Sequence, residues 1–592
     1  MYQPNMIRNV AMISHGGAGK TTLTEAMLFN AKAVDRLGRV DNGSSAMDYE
    51  PDEIKRKISV NVSLGYGEWK KTKVNILDAP GYTDFVGEVK KSLRVAEGCV
   101  VVLDASAGVE IGTEIVWQYA DERNLARCIF VNKMEKEHAD FYKAVESISI
   151  LESSANIIPF QLPLGSGDKL IVESFPSPAD MGRVCGINPD ETRTVSIDDH
   201  FCGLVFKIIS DPHIGELVFF RAYSGKLTGG TDILNTTTGH KERIGHLCLM
   251  IGKHKNDVEG IGAGDIGAIV KIKGVKIGDT LCMPSDPITL KAIDFPQASI
   301  SLAVRPKTKA DQEKMGLGLH KIAEEDPTFT MHLDHELAQT IISGIGETHL
   351  DVVVDRLTRR FGTEVETEKP RVPYRETIRK PGQGNYKHKK QSGGRGQYGE
   401  AFLKIEPLTT GERFEFVSDI FGGSVPAKYI PPVEKGIRDT MDKGILAGCH
   451  IINVKAILYD GSFHDVDSSD LAFQIAGAFA FKKAFEDASP VLLEPIVEVE
   501  CLAPETNMGE VIGDLNVRRG RILGVEPKGK NELVKANVPQ AEMYKYATSL
   551  RSITRGRGSF KMKFSHYEEV PHPIAEKIIA EAKVAKEEEH HG

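Results

Sequence analysis

A glycine-rich segment near the start of the chain has the residue types of a phosphate-binding loop. It reads Ser14-His15-Gly16-Gly17-Ala18-Gly19-Lys20-Thr21-Thr22 and lies between an apolar run and an amphipathic stretch. Small residues let backbone N–H groups turn towards an anion, a lysine can reach β- and γ-phosphates, and a hydroxyl can bind Mg²⁺. Ser14 stands where the strict motif begins with glycine. A strand before the segment and a helix after it favour a phosphate loop over an ordinary glycine-rich turn.

Two shorter motifs follow apolar runs further along the chain. Asp78-Ala79-Pro80-Gly81 comes after one run, where an aspartate can reach Mg²⁺ through the ion's hydration shell. Asn132-Lys133-Met134-Glu135 ends another run, where GTP-binding proteins have Asn-Lys-x-Asp, and Glu135 takes the place of the aspartate that accepts from guanine N1 and N2. Each motif alone can be an ordinary turn. Their order along the chain predicts a site for GTP or GDP with Mg²⁺, rather than for ATP.

The elements that position these motifs alternate between apolar and amphipathic segments, which is typical of a doubly wound parallel sheet. The predicted buried parallel strands are Asn9–Ser14, Val74–Leu77, Cys99–Leu103 and Cys128–Asn132, and the predicted helices are Thr21–Asn30 and Thr113–Asn124.

The pattern of apolar and polar residues changes after this region. From about Ser196, alternating strands with glycine turns predict a β-barrel. Lys309–Glu325 is predicted to be a helix, Pro495–His566 has the strand and helix order of a split βαβ domain, and a charged helix starts at Ile574. The predicted fold class is therefore multidomain α/β: a P-loop GTPase domain, a β-barrel second domain, and α+β domains including ferredoxin-like ones.

Length and composition limit the function classes. The chain has 592 residues, enough for about four domains. Its net charge of −9 argues against a protein that coats nucleic acid with its whole surface, but allows one basic face. No apolar run approaches the ~20 residues of a membrane-spanning helix, no secretory signal is visible, and the eight cysteines contain no CxxC pair. The sequence predicts a cytoplasmic monomer with no membrane partner.

Long segments beyond these motifs resemble the elongation factor G family of translational GTPases from end to end. Met47–Ser59 resembles the first switch of the family, and further similar segments are Asp211–Gly225, Ala263–Lys273, Lys307–Phe329 and Thr340–Leu357. The resemblance implies a GTPase domain over residues 1–195, a β-barrel over 196–290, domain III over 298–373, domain IV with basic tip loops over 374–493, a ferredoxin-like domain V over 494–570 and a helical tail over 571–592.

The resemblance also implies roles for site residues and shows departures from the family pattern. Lys20 and Tyr82 take catalytic positions, but Tyr82 stands where the family has a histidine. Thr21, Ser59 and Asp78 take the Mg²⁺ positions, with Ser59 replacing a threonine. Gly17 replaces a phosphate-loop aspartate, and Lys57 replaces a glycine. These departures resemble the divergent second-type paralogues of the factor.

One part of the family's GTPase domain has no counterpart. Pro159–Leu170 runs directly into Ile171–Asp180, where the family has an insertion and a loop that stacks under guanine. We therefore expect missing residues near 165–171, and a chain break or a deletion between Gly165 and Phe175.

Basic segments predict contact with RNA. Arg375–Arg395 carries seven cations and one acid, Glu376, with Tyr386 and Tyr398 as stacking faces, although a solvated hairpin would look similar. By resemblance, His464 lies in the second tip loop, near transfer RNA. Two arginine clusters are further candidates for ribosomal RNA: Arg518, Arg519 and Arg521, and Arg551, Arg555 and Arg557.

The function implied by the resemblance is that of a GTP-dependent translation elongation factor. Its partners would be the ribosome, with ribosomal RNA, transfer RNA and messenger RNA near the domain IV tip. Two alternatives stay open: a ribosome-binding GTP switch with weak hydrolysis because of Tyr82, and a paralogue specialised for ribosome recycling or rescue. A non-ribosomal P-loop enzyme is less favoured because no second substrate motif is visible.

Overall fold

The computed structural model describes residues 1–151, 176–211, 215–390, 397–408, 413–529 and 531–591, with side chains up to residue 584. The described chain forms two compact units. The first contains residues 1–370 and 547–558, and the second contains residues 371–546 and 559–592. The expected break between Gly165 and Phe175, and the absent guanine-stacking loop, lie outside the described residues.

The first unit begins with a five-stranded sheet and its helices. The elements are β1 (Ile7–Ile13), α1 (Lys20–Asn30), α2 (Pro51–Arg56), β2 (Ser63–Trp69), β3 (Thr72–Asp78), α3 (Val86–Arg94), β4 (Gly98–Asp104), α4 (Ile111–Glu122), β5 (Ala126–Asn132) and α5 (Phe141–Ser147). The strand order is β2-β3-β1-β4-β5, and only β2 runs antiparallel to its neighbour.

Alternate residues of the central strands pack against opposite helix layers. Val10 and Met12 of β1 share a core with α1, whereas Ala11 and Ile13 share a core with α3 and α4. Since successive side chains of a strand point to opposite faces, a strand covered on both faces must be apolar throughout. The doubly wound prediction is confirmed. The prediction that β5 is buried is wrong: β5 is half-buried, because it lies at the edge of the described sheet.

The next domain contains an eight-stranded antiparallel sheet around an apolar core and two separate two-stranded sheets. Its elements are β6 (Arg183–Cys185), β7 (Thr192–Thr194), β8 (Cys202–Asp211), β9 (Gly215–Ser224), β10 (Lys226–Thr228), β11 (Asp232–Asn235), β12 (Lys241–Arg243), β13 (His246–Ile251), β14 (His254–Val258), β15 (Gly260–Gly262), β16 (Ile266–Val270) and β17 (Thr280–Cys282). Val205, Phe220 and Leu281 point into this core, as the predicted barrel requires. Phe206 and Phe219 point outwards and join the core around α3 instead, which unites barrel and nucleotide domain.

A small α+β domain follows, with strand order β19-β20-β18-β21. Its elements are β18 (Ile300–Pro306), α6 (Gln312–Glu325), β19 (Thr330–Asp334), β20 (Gln339–Gly344), α7 (Glu347–Phe361) and β21 (Val365–Glu368). A short 3₁₀ turn over Lys309–Asp311 precedes α6, so the helix predicted from Lys309 starts there as a tighter turn. Helix α7 hydrogen-bonds to Asp52 and Asp84 in the segments that flank the nucleotide site.

Most elements of the last two domains lie in the second unit. They are β22 (Arg375–Ile378), β23 (Gly382–Lys390), β24 (Gln397–Pro407), β25 (Phe414–Ser418), α8 (Ile430–Lys443), β26 (Val454–Ser462), α9 (Asp470–Asp487), β27 (Pro490–Pro504), α10 (Met508–Val517), β28 (Arg521–Lys528), β29 (Asn531–Pro539), α11 (Tyr546–Ile553), β30 (Ser559–Glu569) and α12 (His572–His591). From β27 to β30 the elements follow the predicted split βαβ order. Helix α11 is the exception in location, because its residues from 547 onwards belong to the first unit.

Close packing of α9 on the sheet β23-β24-β26-β25 shapes the domain that carries the basic segment. Ala480 and Ala484 of α9 lie against Gly382 and Gly384 of β23, where any Cβ on either glycine would come within 2.4 Å of the helix backbone. Small residues on both elements therefore bring helix and strand into direct backbone contact. The tight contact fixes the start of β23 against α9, and the lysines lie at the other end of the strand.

Candidate nucleotide site and nucleic-acid interface

The phosphate loop occupies the turn between β1 and α1, as predicted. Gly17 (φ +81°) and Gly19 (φ +99°) have left-handed backbones, which glycine adopts without a steric penalty. A Cβ on Gly19 would also lie 2.3 Å from the Asn132 amide nitrogen. Position 19 therefore requires glycine for both backbone and steric reasons, whereas only the backbone conformation favours glycine at position 17. The turn directs the N-terminus of α1 towards the space a phosphate would occupy.

Hydrogen bonds of its own side chains hold the phosphate loop in place. The Ser14 hydroxyl donates to the carbonyl of Val102 on β4, and His15 Nδ1 accepts the backbone N–H of Gly112 at 3.2 Å. Ser14 therefore stabilises the base of the loop through its side chain, and only its backbone remains for an anion. Ala18 is buried and Thr22 is exposed.

Lys20 is a buried cation beneath the Asp78–Gly81 segment. Its Nζ donates to the His15 carbonyl at 3.0 Å, and a Cβ on Gly81 would come within 2.4 Å of that nitrogen. Burial lowers the pKa of Lys20 to about 8, and the nearby Asp78 opposes that shift. An anion at this place would raise the pKa of Lys20 again and stabilise its charged form, as expected for a lysine that binds phosphate.

Two buried carboxylates and two hydroxyls meet next to Lys20. The carboxylate oxygens of Asp78 and Asp48 make no hydrogen bond of ordinary geometry among the described residues. Burial raises the pKa of each carboxyl group, and Asp78 adds to the shift at Asp48. The hydroxyls of Thr21 and Ser59 lie close enough to lower the pKa of Asp78 and Asp48, respectively, and so oppose part of the effect of burial. The hydroxyls of Thr21 and Ser59 lie 3.1 Å apart in the same place. Buried carboxylates without good hydrogen bonds have a high desolvation cost, which a bound cation would offset.

This donor set fits Mg²⁺ bound together with phosphates. Magnesium takes hard oxygen ligands and is usually held by one or two carboxylates plus substrate phosphates, not by a complete cage of protein ligands. The described residues contain no group of three or more His, Cys, Asp or Glu side chains placed to hold a metal. Thr21, Ser59 and Asp78, the residues expected to hold the ion, lie next to one another, and Asp48 lies beside them.

Acidic residues that the sequence analysis did not single out hold the backbone on both sides of Ser59. The buried Glu25 of α1 accepts from the backbone N–H of Ala46 at 2.6 Å and of Met47 at 3.1 Å. Glu53 accepts from the N–H of Val60 at 3.0 Å. Glu25 lies on the same face of α1 as the buried Thr21 and Leu28, so helical periodicity alone indicates a buried carboxylate that needs donors.

Lys57 illustrates one of the departures from the family pattern. It ends α2 with φ +56°, in the left-handed region that favours glycine. The side chain at this position therefore carries a conformational cost. The structure keeps the turn that the family's glycine would make.

Tyr82 follows the Asp78–Gly81 segment and lies against the phosphate loop. A Cβ on Gly16 would lie 3.1 Å from Cε2 of the Tyr82 ring. The side chain is 47% exposed, so its outer edge faces solvent. The ring is thus beside the loop, where a residue that orients water against a phosphate would be needed.

The motif after β5 is linked to the phosphate loop. Asn132 Nδ2 donates to the Ala18 carbonyl at 3.0 Å, and Lys133 Nζ donates to the Gly17 carbonyl while lying 3.1 Å from Asp104. Glu135 is exposed at the same end of the sheet. The structure therefore brings the first and third predicted motifs together, although they are more than a hundred residues apart in sequence.

The two segments that flank the site are bonded to α7. In the first, Asp52 of α2 accepts from Arg356 at 2.9 Å and from Arg359 at 2.6 Å. In the second, Asp84 accepts from the backbone N–H of Thr348 at 3.1 Å and from Arg551 at 2.5 Å. Single-sequence patterns contain no signal for these pairs, because each joins residues that are hundreds of positions apart.

The second unit has a cluster of basic and aromatic groups that we call the hairpin end: Lys387–Lys390, Tyr398 and residues 462–468. Lys387 lies over the Tyr398 ring, 5.1 Å from its centroid, and the Tyr398 hydroxyl is 2.7 Å from that of Ser462. His464 lies 6.2 Å from the Tyr398 ring, centroid to centroid. Lys389 and Lys390 are exposed. The two predicted tip segments are therefore neighbours; residues 391–396, including Arg395, lie outside the described part.

The basic segment is not one continuous patch as the sequence suggested. The Arg379 guanidinium pairs with Glu569, and Arg375 lies over the ring of Tyr567, both on β30. Strand β23 then extends for nine residues, about 30 Å, to Lys390. Glu376 does not offset these charges at the surface: it is buried, and its carboxylate accepts four backbone N–H groups between Ile445 and Cys449.

The two arginine clusters expected to face RNA are largely committed within the protein. Arg518 pairs with Asp514 and Arg519 with Glu494, while Arg551 pairs with Asp84 and Arg557 with Glu114. Guanidinium groups in such pairs stabilise the fold and are therefore less available to contact phosphate. Arg521 and Arg555 are exposed.

Family models match successive parts of the chain. The Elongation factor Tu GTP binding domain matches residues 5–259, and Elongation Factor G, domain III matches 295–369. Elongation factor G, domain IV matches 370–489, and the Elongation factor G C-terminus matches 491–578. A crystal structure of a protein from Thermus thermophilus is similar at 33% identity, with a TM-score of 0.78, over 98% of this chain and 99% of that one.

A phosphate loop, switch segments and a guanine motif on a doubly wound sheet, joined to a barrel and α+β domains, define a translational GTPase. The chain belongs to the elongation factor G family. Membership confirms the predicted guanine-nucleotide binding and interaction with the ribosome. Among the described residues, no helix is long and apolar enough to span a membrane.

Proposed function

We propose that this chain uses GTP to drive movement of transfer RNA and messenger RNA through the ribosome. The observation that carries the proposal is the bonding of both switch segments to α7. Asp52, which precedes Ser59, pairs with Arg356 of α7. Asp84, which follows Asp78, accepts the Thr348 N–H of the same helix, so each contact is a few residues from a group that would contact Mg²⁺. A change at the γ-phosphate would therefore alter the packing of the third domain, which is the order–disorder logic of GTPase switches.

In this proposal the residues around the phosphate loop bind the nucleotide. Backbone groups of Ser14–Thr22, with Pro80 and Gly81, surround the phosphates, and Lys20 neutralises their charge. Asn132, Lys133 and Glu135 select guanine. Thr21, Ser59 and Asp78 would hold Mg²⁺, which would supply charge neutralisation between the β- and γ-phosphates.

Tyr82 has the position from which the attacking water would be oriented. Hydrolysis by such enzymes depends mainly on positioning and electrostatic stabilisation. A phenol is longer than an imidazole and, unlike a neutral imidazole, has no ring nitrogen that readily accepts a proton at neutral pH. We therefore propose a slower hydrolysis than in family members with histidine, which agrees with a divergent second-type paralogue.

The hairpin end would contact RNA. Exposed lysines neutralise phosphates, while Tyr398 and His464 offer rings beside them. This arrangement favours a role in translocation, because an extended strand that ends in exposed lysines can enter a site lined by RNA.

The test is GTP turnover with and without purified ribosomes, followed by a translocation assay on the same ribosomes. Ribosome-stimulated turnover together with translocation supports the proposal. Tight GTP binding with ribosome docking but negligible turnover would favour the first alternative, a GTP switch with weak hydrolysis, to which Tyr82 also points. Turnover with ribosome splitting but without translocation would replace the proposal by recycling or rescue.

A further inference from the structure

Gly16 differs from the other glycines of the phosphate loop. Gly17 and Gly19 have positive φ, so their backbone conformation explains the residue type. The backbone of Gly16 is outside that region and would accept an L-residue without strain. The space around it explains the glycine instead: a Cβ would lie 3.1 Å from Cε2 and 3.3 Å from Cδ2 and Cζ of Tyr82.

The backbone of Tyr82 is fixed independently of its ring. Gly81 packs on the loop so closely that a Cβ there would come within 2.8 Å of the Gly16 nitrogen and Cα. On the other side, the Phe85 N–H donates to the Tyr82 carbonyl at 3.0 Å, and the Phe85 side chain is buried. The ring direction is therefore the remaining freedom, and the absence of a side chain at Gly16 gives the ring its place.

We propose that Gly16 is a positioning residue that keeps the Tyr82 ring against the phosphate loop, beside Lys20. This inference rests on the proposed function, since it matters only if Tyr82 acts in GTP hydrolysis. A methyl group at position 16 would force the ring to move by a few tenths of an ångström. Small displacements of a group that orients a reactant reduce turnover far more than they reduce binding.

The test is a double-mutant cycle of Gly16→Ala and Tyr82→Ala, with ribosome-stimulated kcat and KM measured beside the affinity for a fluorescent GDP analogue. In the parental background, Gly16→Ala should lower kcat roughly tenfold. The affinity for the analogue should stay within about twofold, because Lys20 and the backbone of the loop remain. In the Tyr82→Ala background, the same change should have no further effect, because the ring it crowds is absent.

A third background tests whether the hydroxyl of the ring carries the effect. Tyr82→Phe keeps the ring against Gly16 and removes the hydroxyl that would orient the water, so Gly16→Ala should lower kcat much less there than in the parental chain. Equal losses in all three backgrounds, or a loss confined to nucleotide affinity, would show that Gly16 acts on the loop itself and would overturn the inference while leaving the proposed function intact. A parental chain without ribosome-stimulated turnover would overturn both.

Discussion

Charged groups at the nucleotide site and at the hairpin end are arranged in opposite ways. Lys20, Asp48 and Asp78 are buried, and the two carboxylates make no hydrogen bond of ordinary geometry among the described residues. Lys389 and Lys390 are exposed to solvent. A buried charge without a partner has a large desolvation cost and therefore a strong preference for a ligand of opposite charge in one geometry. An exposed lysine has no large desolvation cost and no preference for one geometry, so the affinity that it provides depends on salt and little on geometry.

The same contrast applies to charges that are already satisfied. Glu376 is buried, but four backbone N–H groups bond its carboxylate, so it stabilises a loop and offers nothing to a ligand. Comparison with Asp78 shows that burial of a carboxylate alone does not indicate a binding site. A buried carboxylate that lacks good hydrogen bonds within the protein does indicate one.

The sharpest test of the contrast is Lys20→Ala. Hydrogen bonds to charged groups contribute about 1.5–3 kcal/mol, so GTP affinity should fall on the order of 100-fold. Isothermal titration with GTP and Mg²⁺ measures the change. Lys226→Ala removes an exposed lysine from the barrel domain of the same unit and should leave affinity unchanged. Equal losses in both variants would mean that net charge, not a buried partner, binds the phosphates.

Removing Mg²⁺ should reveal the cost of the unpartnered carboxylates. With excess EDTA, GTP affinity should fall by about tenfold or more, because Asp78 loses the cation that offsets its burial and repels the phosphates. The measurement is the same titration with and without chelator. If affinity does not depend on Mg²⁺, the assignment of Thr21, Ser59 and Asp78 is wrong.

Tyr82→His tests whether the ring at this position limits the chemistry. We expect ribosome-stimulated hydrolysis to rise by roughly tenfold, because an imidazole orients water better at neutral pH. GTP affinity should stay level, since Lys20, Thr21 and Asp78 are unchanged. No gain in turnover, with normal ribosome binding, would show that Tyr82 only packs on the loop.

At the hairpin end, the double variant Lys389→Ala/Lys390→Ala should reduce ribosome affinity by about fivefold, because exposed ionic contacts are individually weak. The slope of log affinity against log salt should fall by about two, one for each phosphate contact. Thermal stability should change little, since surface substitutions cost within about 0.5 kcal/mol. Lys435→Ala/Lys482→Ala removes two exposed lysines from helices of the same domain and serves as the matched control. Parental rates of translocation in the Lys389/Lys390 variant would refute the assigned role.

The smallest expected effect concerns the link between the switch and α7. In Arg551→Ala, Asp84 keeps the Thr348 N–H but loses its ion pair, and the Ile345 carbonyl loses a donor. Hydrogen exchange of peptides covering 345–350 should then become faster, while Arg36→Ala, which removes an exposed arginine from the same unit, should leave it unchanged. Unchanged exchange in Arg551→Ala would show that the pair does not hold this junction.

Local patterns in the sequence were sufficient for much of this protein. The doubly wound sheet follows from apolar runs at Val74–Leu77 and Cys99–Leu103, because strands covered on both faces must be apolar. The phosphate loop follows from glycines whose positive φ the structure shows at Gly17 and Gly19. Such features depend on residues close together in the chain, so their signal is present in a single sequence.

Tertiary structure decided which charges are available. Arg519, Arg551 and Arg557 look like an RNA-binding surface in sequence, but they pair with carboxylates up to several hundred residues away. Asp48 looks like an ordinary acidic residue, yet folding buries it beside Lys20 of the phosphate loop. The physical reason is that the energy of a charge depends on its solvation and its partners, and both are set by segments that meet only when the chain has folded.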